Sequence, residues 1–360
     1  MRKSIRFALV AAVLLLGTLG TAGAAPTVFA PKITVKAVAA GGTRVIVQAA
    51  VADDPTARFV LYAPIGATAT FTAAPGTSLG KVTAHAQAAD LGGAILPLTG
   101  DVIVANPADP AIIAASAQCD PVPHATILAL TLQAAGQVLS VPVFVEAGAG
   151  PEAAFASYRL VICLPPPDIP PGTPGRATFG AKLLDADFSI SALSGPAGEQ
   201  RWRALWTPYI PQQGKPNTTG TVETQSIVQT PSLKASAKTT AKSKKVKGKK
   251  VVTTTVTISG SVTAGGQGVA GQTVSILAGS TAAKLKQVAR VTTRANGSFS
   301  YATKLKATTF FQAKSTLPDR DLGAPGCTAT FSTLGIQCIS ATVAGGDLAS
   351  ATVKAVPRKR

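Results

Sequence analysis

Short apolar, β-prone runs alternate with Gly, Pro and Asp breaks along the N-terminal part of the chain. Ile33-Thr34-Val35-Lys36 and Arg44-Val45-Ile46-Val47 open the pattern, and Phe59 to Tyr62 continues it up to Ala63-Pro64. Ala67 to Thr72, Ala125 to Gln133, Val138 to Val145 and Tyr158 to Cys163 follow, the last stopped by Pro165-Pro166-Pro167. A period of two turns alternate side chains to opposite faces, so each run predicts a strand with one buried face. Helix caps around a 3.6-residue period are missing, and only the Ala- and Ile-rich run Pro107 to Gln118 is compatible with one short helix. Many short strands with regular turn signals indicate a sandwich or a barrel. The expectation for residues 25–232 is a β-sandwich-like domain.

The pattern is plainer towards the C-terminus. Val251 to Ser261 alternates Val, Thr and Ile, Gly265 to Gly268 is a turn, and Val269 to Leu277 puts Val274 and Ile276 on one face. Val288 to Arg294 and Ser298 to Thr303 flank Asn296-Gly297, a hairpin signal because both turn residues tolerate positive φ. Thr309 to Lys314, Ala329 to Thr333 and Ala349 to Val356 complete the set. About seven strands over residues 251–360 fit an immunoglobulin-like sandwich. The whole chain is therefore expected to be all-β, with two domains.

Charge sharpens the division. The 360 residues carry a formal net charge of +18, with 34 Lys plus Arg against 16 Asp plus Glu. Residues 25–232 hold 11 basic and 13 acidic residues, whereas 251–360 hold 12 basic and 3 acidic. Between them, residues 233–250 contain eight Lys, no acid, and otherwise mostly Ser, Thr and Ala. A run with so little to bury is expected to be a disordered linker extended by self-repulsion.

The N-terminus reads as an address. Arg2, Lys3 and Arg6 precede the apolar run Phe7 to Leu16, and Ala22-Gly23-Ala24 supplies small residues for cleavage. This is the signature of a secretory signal peptide over residues 1–24, and the run is too short to span a bilayer comfortably. Export makes the four cysteines Cys119, Cys163, Cys327 and Cys338 disulfide candidates. Three connectivities exist, and the layout favours Cys119–Cys163 and Cys327–Cys338, because each pair falls inside one domain. Spacing of the Cys-x-x-Cys kind is absent, so no metal site is expected, and no cofactor either.

Catalytic patterns are scarce. The only imidazoles are His85 and His124, both read as ordinary strand or loop residues. Gly-x-Ser-x-Gly, His-Glu-x-x-His and the phosphate-cradling Gly-rich loop do not occur. Asp185 and Asp187 share one strand face, and Asp53-Asp54-Pro55 reads as a turn. Both Trp residues lie in Arg201-Trp202-Arg203-Ala204-Leu205-Trp206, with Tyr209 close behind. At period two, Trp202 and Trp206 share one face and Arg201 and Arg203 the other. The strip is either the aromatic core of an aromatic-poor domain or a platform on which a sugar could stack. In the second case Trp202, Trp206, Tyr209, Arg201 and Arg203 are the ligand contacts. Lys242, Lys244, Lys245, Lys247, Lys249 and Lys250 are candidate contacts for a polyanion such as an anionic cell-wall polymer or a membrane surface. Sequence-specific nucleic-acid recognition is not expected.

A resemblance adds to this reading. Ile258-Ser259-Gly260-Ser261-Val262, Gly268-Val269-Ala270-Gly271-Gln272-Thr273-Val274-Ser275-Ile276, and Thr292 to Tyr301 with Asn296-Gly297-Ser298-Phe299 resemble bacterial Ig-like and carboxypeptidase-regulatory-like repeats. Tyr62-Ala63-Pro64, Arg159 to Pro165 and Trp202 to Tyr209 more loosely resemble the N-terminal domain preceding such repeats in exported bacterial proteins. The resemblance implies spacer, stalk or adhesive modules. The expectation is an exported, non-enzymatic, envelope-associated protein that binds or presents through its β domains and is retained by its lysines. The alternatives are a secreted carbohydrate-active or carbohydrate-binding protein using the Trp202/Trp206 strip, and a purely structural spacer.

Overall fold

The computed structural model describes residues 29–38, 41–134, 136–196, 198–318, 320–321 and 336–357. The signal segment 1–24 and the Cys327–Cys338 pairing lie outside these residues. The first part of the chain forms β1 (Lys32–Ala37), β2 (Thr43–Gln48), β3 (Thr56–Pro64), β4 (Thr68–Ala69), β5 (Ser78–Ala88), β6 (Ala94–Val104) and helix α1 (Pro110–Cys119). Next come β7 (Thr126–Ala134), β8 (Gln137–Ala147), β9 (Ala156–Cys163), β10 (Ala181–Ile190), β11 (Leu193–Ser194), β12 (Glu199–Ile210), β13 (Lys215–Pro216) and β14 (Val222–Gln229). The remainder forms β15 (Pro231–Val246), β16 (Lys249–Ala264), β17 (Gln267–Gly268), β18 (Thr273–Gly279), β19 (Lys286–Thr292), β20 (Ser298–Leu305) and β21 (Thr309–Leu317). It ends with β22 (Arg320–Asp321), β23 (Ile336–Val343), β24 (Gly346–Ala349) and β25 (Val353–Ala355). Among the described residues no helix is long and apolar enough to cross a membrane.

The first architectural unit corrects the expected sandwich. Instead of two sheets, one sheet of twelve strands rolls into a nearly closed barrel, in the order β1-β2-β10-β5-β6-β7-β8-β9-β3-β12-β14-β23. Each strand extends its neighbour's ladder, and alternate residues keep one face inward throughout, so nothing splits the sheet. Side chains bridge the seam. Val35 N–H donates to Ser226 Oγ at 2.8 Å, and Thr342 Oγ1 donates to the Val35 carbonyl at 2.8 Å. A bulge in β5 helps the curl. At Gly80 a Cβ would sit 1.9 Å from the Ser189 carbonyl oxygen. Inside lie Val45, Leu61, Leu128, Leu160, Phe188 and both Trp residues.

Helix α1 forms where the sequence allowed one. The Asp109 side chain accepts from Ala111 N–H at 2.8 Å, and Pro110 starts the helix where its missing N–H costs nothing. Cys119, its last residue, is bonded to Cys163 at the end of β9, with Cα atoms 5.8 Å apart.

Two further sheets, β15-β16-β20 with β17 and β19-β18-β21 with β24 and β25, enclose a second core. It contains Val256, Ile258, Val274, Ile276, Phe299 and Phe311. Residues 233–250, expected to be a disordered linker, are instead the arms and turn of the β15–β16 hairpin, paired without a break from Pro231↔Ala264 to Val246↔Lys249. The physical reason lies in the alternation. Leu233 is buried, and Ala235 and Ala237 pack on the second core, while Lys234, Lys238, Lys242 and Lys244 occupy the outward positions. Lys247 and Gly248 both take positive φ, 49° and 75°, and close a two-residue turn.

Asn296-Gly297 does form a turn, with Arg294 N–H bonded to the Ser298 carbonyl at 2.8 Å. The strands it joins, β19 and β20, lie in different sheets, so the connection crosses the core and is not the expected hairpin. Nor do the two halves of the chain stay apart. β23 leaves the second unit and pairs in parallel with β14, completing the barrel wall.

Candidate functional site

Three places carry polar or aromatic chemistry. The first is β12. Trp202, Ala204 and Trp206 share a face as the alternation predicts, but that face is the barrel interior, where Trp202 is 0% and Trp206 2% exposed. Each indole N–H is satisfied, to Gln200 Oε1 at 3.1 Å and to Thr224 Oγ1 at 2.8 Å. Tyr209 is also buried. Its hydroxyl donates to the Leu164 carbonyl at 2.6 Å, and burial, aided by the charge of Asp168, pushes its pKa up to about 12. The proposed stacking contacts Trp202, Trp206 and Tyr209 are therefore core residues. An aromatic-poor sheet needed these rings to fill its interior.

Of the two outward arginines of β12, Arg203 is ion-paired and Arg201 is hydrogen-bonded to an amide. Arg203 holds Glu223 with two bonds of 2.7 Å and lies 4.1 Å over the Phe155 ring. Burial alone would raise the Glu223 pKa, but hydrogen bonds from Arg203 and Gln225 and the Arg203 charge outweigh it and hold the carboxyl below its usual range. Arg201 is exposed and donates to Gln225 Oε1 at 3.0 Å.

The second place surrounds α1 and the disulfide. Ser116 Oγ lies 2.9 Å from His124 Nε2, and His124 Nδ1 lies 3.0 Å from Glu146 Oε1. The order Ser–His–carboxylate is that of an activated nucleophile. Its surroundings are those of a structural network. Arg159 binds Glu146 through Nε, Asp120 at 3.4 Å and Glu152 at 3.8 Å, and Arg58 reaches Asp120 at 3.2 Å. Burial first, and then the hydrogen bond that a protonated Glu146 makes to the Asp120 carboxylate, push the Glu146 pKa up against the pull of Arg159. Ser116 sits in the last turns of a helix, whose backbone N–H groups serve the helical ladder and leave no oxyanion donors beside it.

Asp120, His124 and Glu146 also offer metal-ligand atoms within 4.8 Å of one another. The guanidinium groups of Arg159 and Arg58 already pair with the two carboxylates, so the set suits an ion-pair network better than a cation. His124 stacks on Phe144, with centroids 4.7 Å apart. The sequence placed His124 beside Cys119 but gave no sign of Glu146 or Arg159, which arrive from β8 and β9. Asp185 and Asp187 lie on the outside of the barrel, each with its own partner. His85 Nδ1 is 2.9 Å from Asp185, and Arg44 grips Asp187. They do not form a carboxylate pair. Asp53 is a turn residue, accepting from Ala50 N–H at 2.8 Å.

The third place is the outer face of β15, β16 and β20. Lys234, Lys238, Lys242 and Lys244 are exposed on alternate positions of β15. Their cross-strand partners are Ser261, Thr257, Thr253 and Val251. β20 adds Ser298, Ser300 and Lys304 to the same face. β20 pairs β16 only over Thr254 to Ser261, so residues 242–253 project past it as a two-stranded arm. Lys245 and Lys247 are exposed on this arm, and Lys249 and Lys250 open its return strand. No Asp or Glu occurs between Glu223 and Asp319. Among the described residues, none of these exposed lysines makes an ion pair. Of the three places, this one alone leaves its charges unspent.

Comparison with protein-family models finds no match, and comparison with curated proteins finds no relative.

Proposed function

We propose that this is an exported, non-enzymatic protein that attaches to a polyanionic surface of the cell envelope through the lysine-rich face and arm of its second β unit. The β barrel is the part so retained and presented. In this reading the second unit is an Ig-like module, in keeping with its two-sheet core and the resemblance of residues 258–301. Export is supported by the signal-like N-terminus and by the Cys119–Cys163 disulfide.

The observation that carries the reading is the row of exposed lysines at alternate positions of β15, without ion pairs and in a stretch devoid of acid. A flexible chain loses entropy when its lysines are lined up on a surface, whereas a β arm presents them already aligned. Near an anionic surface each lysine contributes about 1 kcal/mol, falling with salt and distance. Hydroxyls of Ser and Thr between the lysines supply hydrogen-bond donors to phosphate or carboxylate oxygens.

Deleting residues 233–250 would remove a core strand, so the test uses exposed side chains only. The protein and a variant with Lys242, Lys244, Lys245 and Lys247 all changed to Ser are sedimented with isolated bacterial envelopes across a salt series. The expected result is binding that falls steeply with salt and is weakened about 100-fold or more in the variant. Equal binding of both proteins at low salt would overturn the reading.

A further inference from the structure

A separate feature of the barrel, independent of the attachment reading, concerns its interior. We propose that one end of the barrel is a binding site for a single-chain acyl amphiphile, with the hydrocarbon chain inside and a small hydrogen-bonding head at the rim.

Eight strands make a barrel that side chains can fill, and more strands leave room within. Twelve strands enclose this one, and several inward positions carry only Ala, among them Ala84, Ala86 and Ala186. The room lies where β5 and β7 end and β6, β8 and β10 begin. A cavity of about 280 Å³ opens there, walled by Leu98, Leu132, Leu139, Val141, Leu164 and Leu183. Leu132, Val141, Leu164 and Leu183 also wall a deeper space of about 50 Å³, which reaches Phe59, Phe188 and Trp206. The site is thus wide at the mouth and narrow inside, and the deeper space is walled by apolar residues except for Thr56. That shape suits a flexible chain better than a flat ring.

The polar lining of the wider space is Ser140, Thr178, Arg176, Thr56 and Lys182, whose ammonium is held by the carbonyls of Ala50, Val51 and Asp53. The segment from Leu164 to Gly180 roofs the cavity, and Arg176 pins it by two bonds of 2.7 Å to Asp90 and one of 2.6 Å to the Ile169 carbonyl. These use three of the five N–H donors of arginine and leave two for a head group. A second, independent sign is Phe179 in the same roof. It takes φ +55°, rare for a bulky residue, and is 37% exposed. Its ring borders a side lobe of the mouth with Ala86, Leu98 and Leu139. Backbone strain of this kind collects at ligand clamps.

The probe is cis-parinaric acid, which fluoresces when its chain enters an apolar site and accepts energy from Trp206. The full protein is titrated with it and then challenged with hexadecanoic acid and hexadecan-1-ol. Saturation at one probe per chain and displacement by either competitor are expected, and which competitor works names the head group. Ala86→Phe should fill the cavity and weaken uptake about tenfold or more. Phe179→Gly should relieve the backbone and weaken uptake severalfold while leaving the near-ultraviolet circular dichroism unchanged. The four-lysine variant should take up probe as the unaltered protein does, so failure here and failure of the attachment reading are told apart. Absence of saturable uptake would overturn the proposal. So would normal uptake by a folded Ala86→Phe protein or, should that variant not fold, normal uptake by Phe179→Gly.

Discussion

The barrel and the second β unit are built from the same kind of strand, yet they treat charge in opposite ways. In the barrel many cations are matched by carboxylates, across strands in Arg44–Asp187, Lys81–Asp101, Arg159–Glu146 and Arg203–Glu223 and between loops in Arg176–Asp90. In the second unit Lys234, Lys238, Lys242 and Lys244 of β15 face serine, threonine and valine, and Lys245 faces Lys250. Matched charges fasten a surface to itself. Unmatched charges of one sign repel one another and are useful only towards something outside. The contrast teaches that the barrel's polar chemistry is spent on its own fold, whereas that of the second unit is held in reserve.

The comparison is broken most severely by cutting the barrel's covalent tie. Replacing Cys119 and Cys163 by Ser reopens a loop closed over a sequence separation of 44. The chain-entropy estimate for such a loop is a loss of about 4 kcal/mol. Both tryptophans lie in the barrel, so denaturant unfolding followed by Trp emission reads that unit directly. A midpoint unchanged by the double substitution would mean that the network around α1 holds without the disulfide.

How far the sequence foretold this contrast depended on residue type. Strands rich in Val, Ile and Phe, such as β2, β3 and β9, were legible as short β-prone runs. β5 and β6 were not, because the inward Ala84, Ala86 and Ala88 of β5 give little hydrophobic signal and Pro97, Gly100 and Asp101 interrupt β6. The face shared by Trp202 and Trp206 was legible, but whether it looked inward was not, since that depends on the sheet closing. The lysine run misled for a physical reason. Leu233, Ala235 and Ala237 are weak apolar positions, and they become a buried face only when β16 lies alongside. The partners of His124 were hidden because contact between β8, β9 and α1 is a property of the fold, not of spacing.

A smaller effect, read through pH, tests whether the barrel's pairs differ among themselves. The Glu223 carboxyl is held below the ordinary value of 4.5 in the fold, so the unfolded chain binds its proton first as pH falls. Its contribution is therefore full above 4.5 and is lost as pH falls through the lower native value. The Glu146 carboxyl is raised above 4.5 by burial and by Asp120. The native state then holds the proton longer, and stability declines as pH rises from 4.5 through the raised native value. Glu223→Gln, which leaves Arg203 facing an amide, is expected to cost about 2 kcal/mol at neutral pH and to flatten the acid-side loss. Glu146→Gln should instead remove the decline above 4.5. Stability curves measured from about pH 3 to pH 8 decide between these signs, and parallel curves for the two variants would contradict the assignment.

The smallest effect is the one that separates the two units most sharply, because its sign reverses. Lys242 and Lys244 are neighbours on one face of β15, and Lys245 and Lys247 crowd the same arm beyond the reach of β20. Like charges this close are mildly destabilising on a strand face, and no carboxylate compensates them. Changing these four to Ser should leave the fold intact and raise its stability by about 0.5 kcal/mol or less at low ionic strength. The gain should vanish at high salt, where the Debye length shrinks to about 3 Å. Removing charge from the barrel loosens it, whereas removing charge from the arm relieves it. A loss of stability in the four-lysine variant, measured by thermal unfolding at both salt concentrations, would show that the arm's lysines serve the fold after all. It would leave the attachment reading without its reserve of charge.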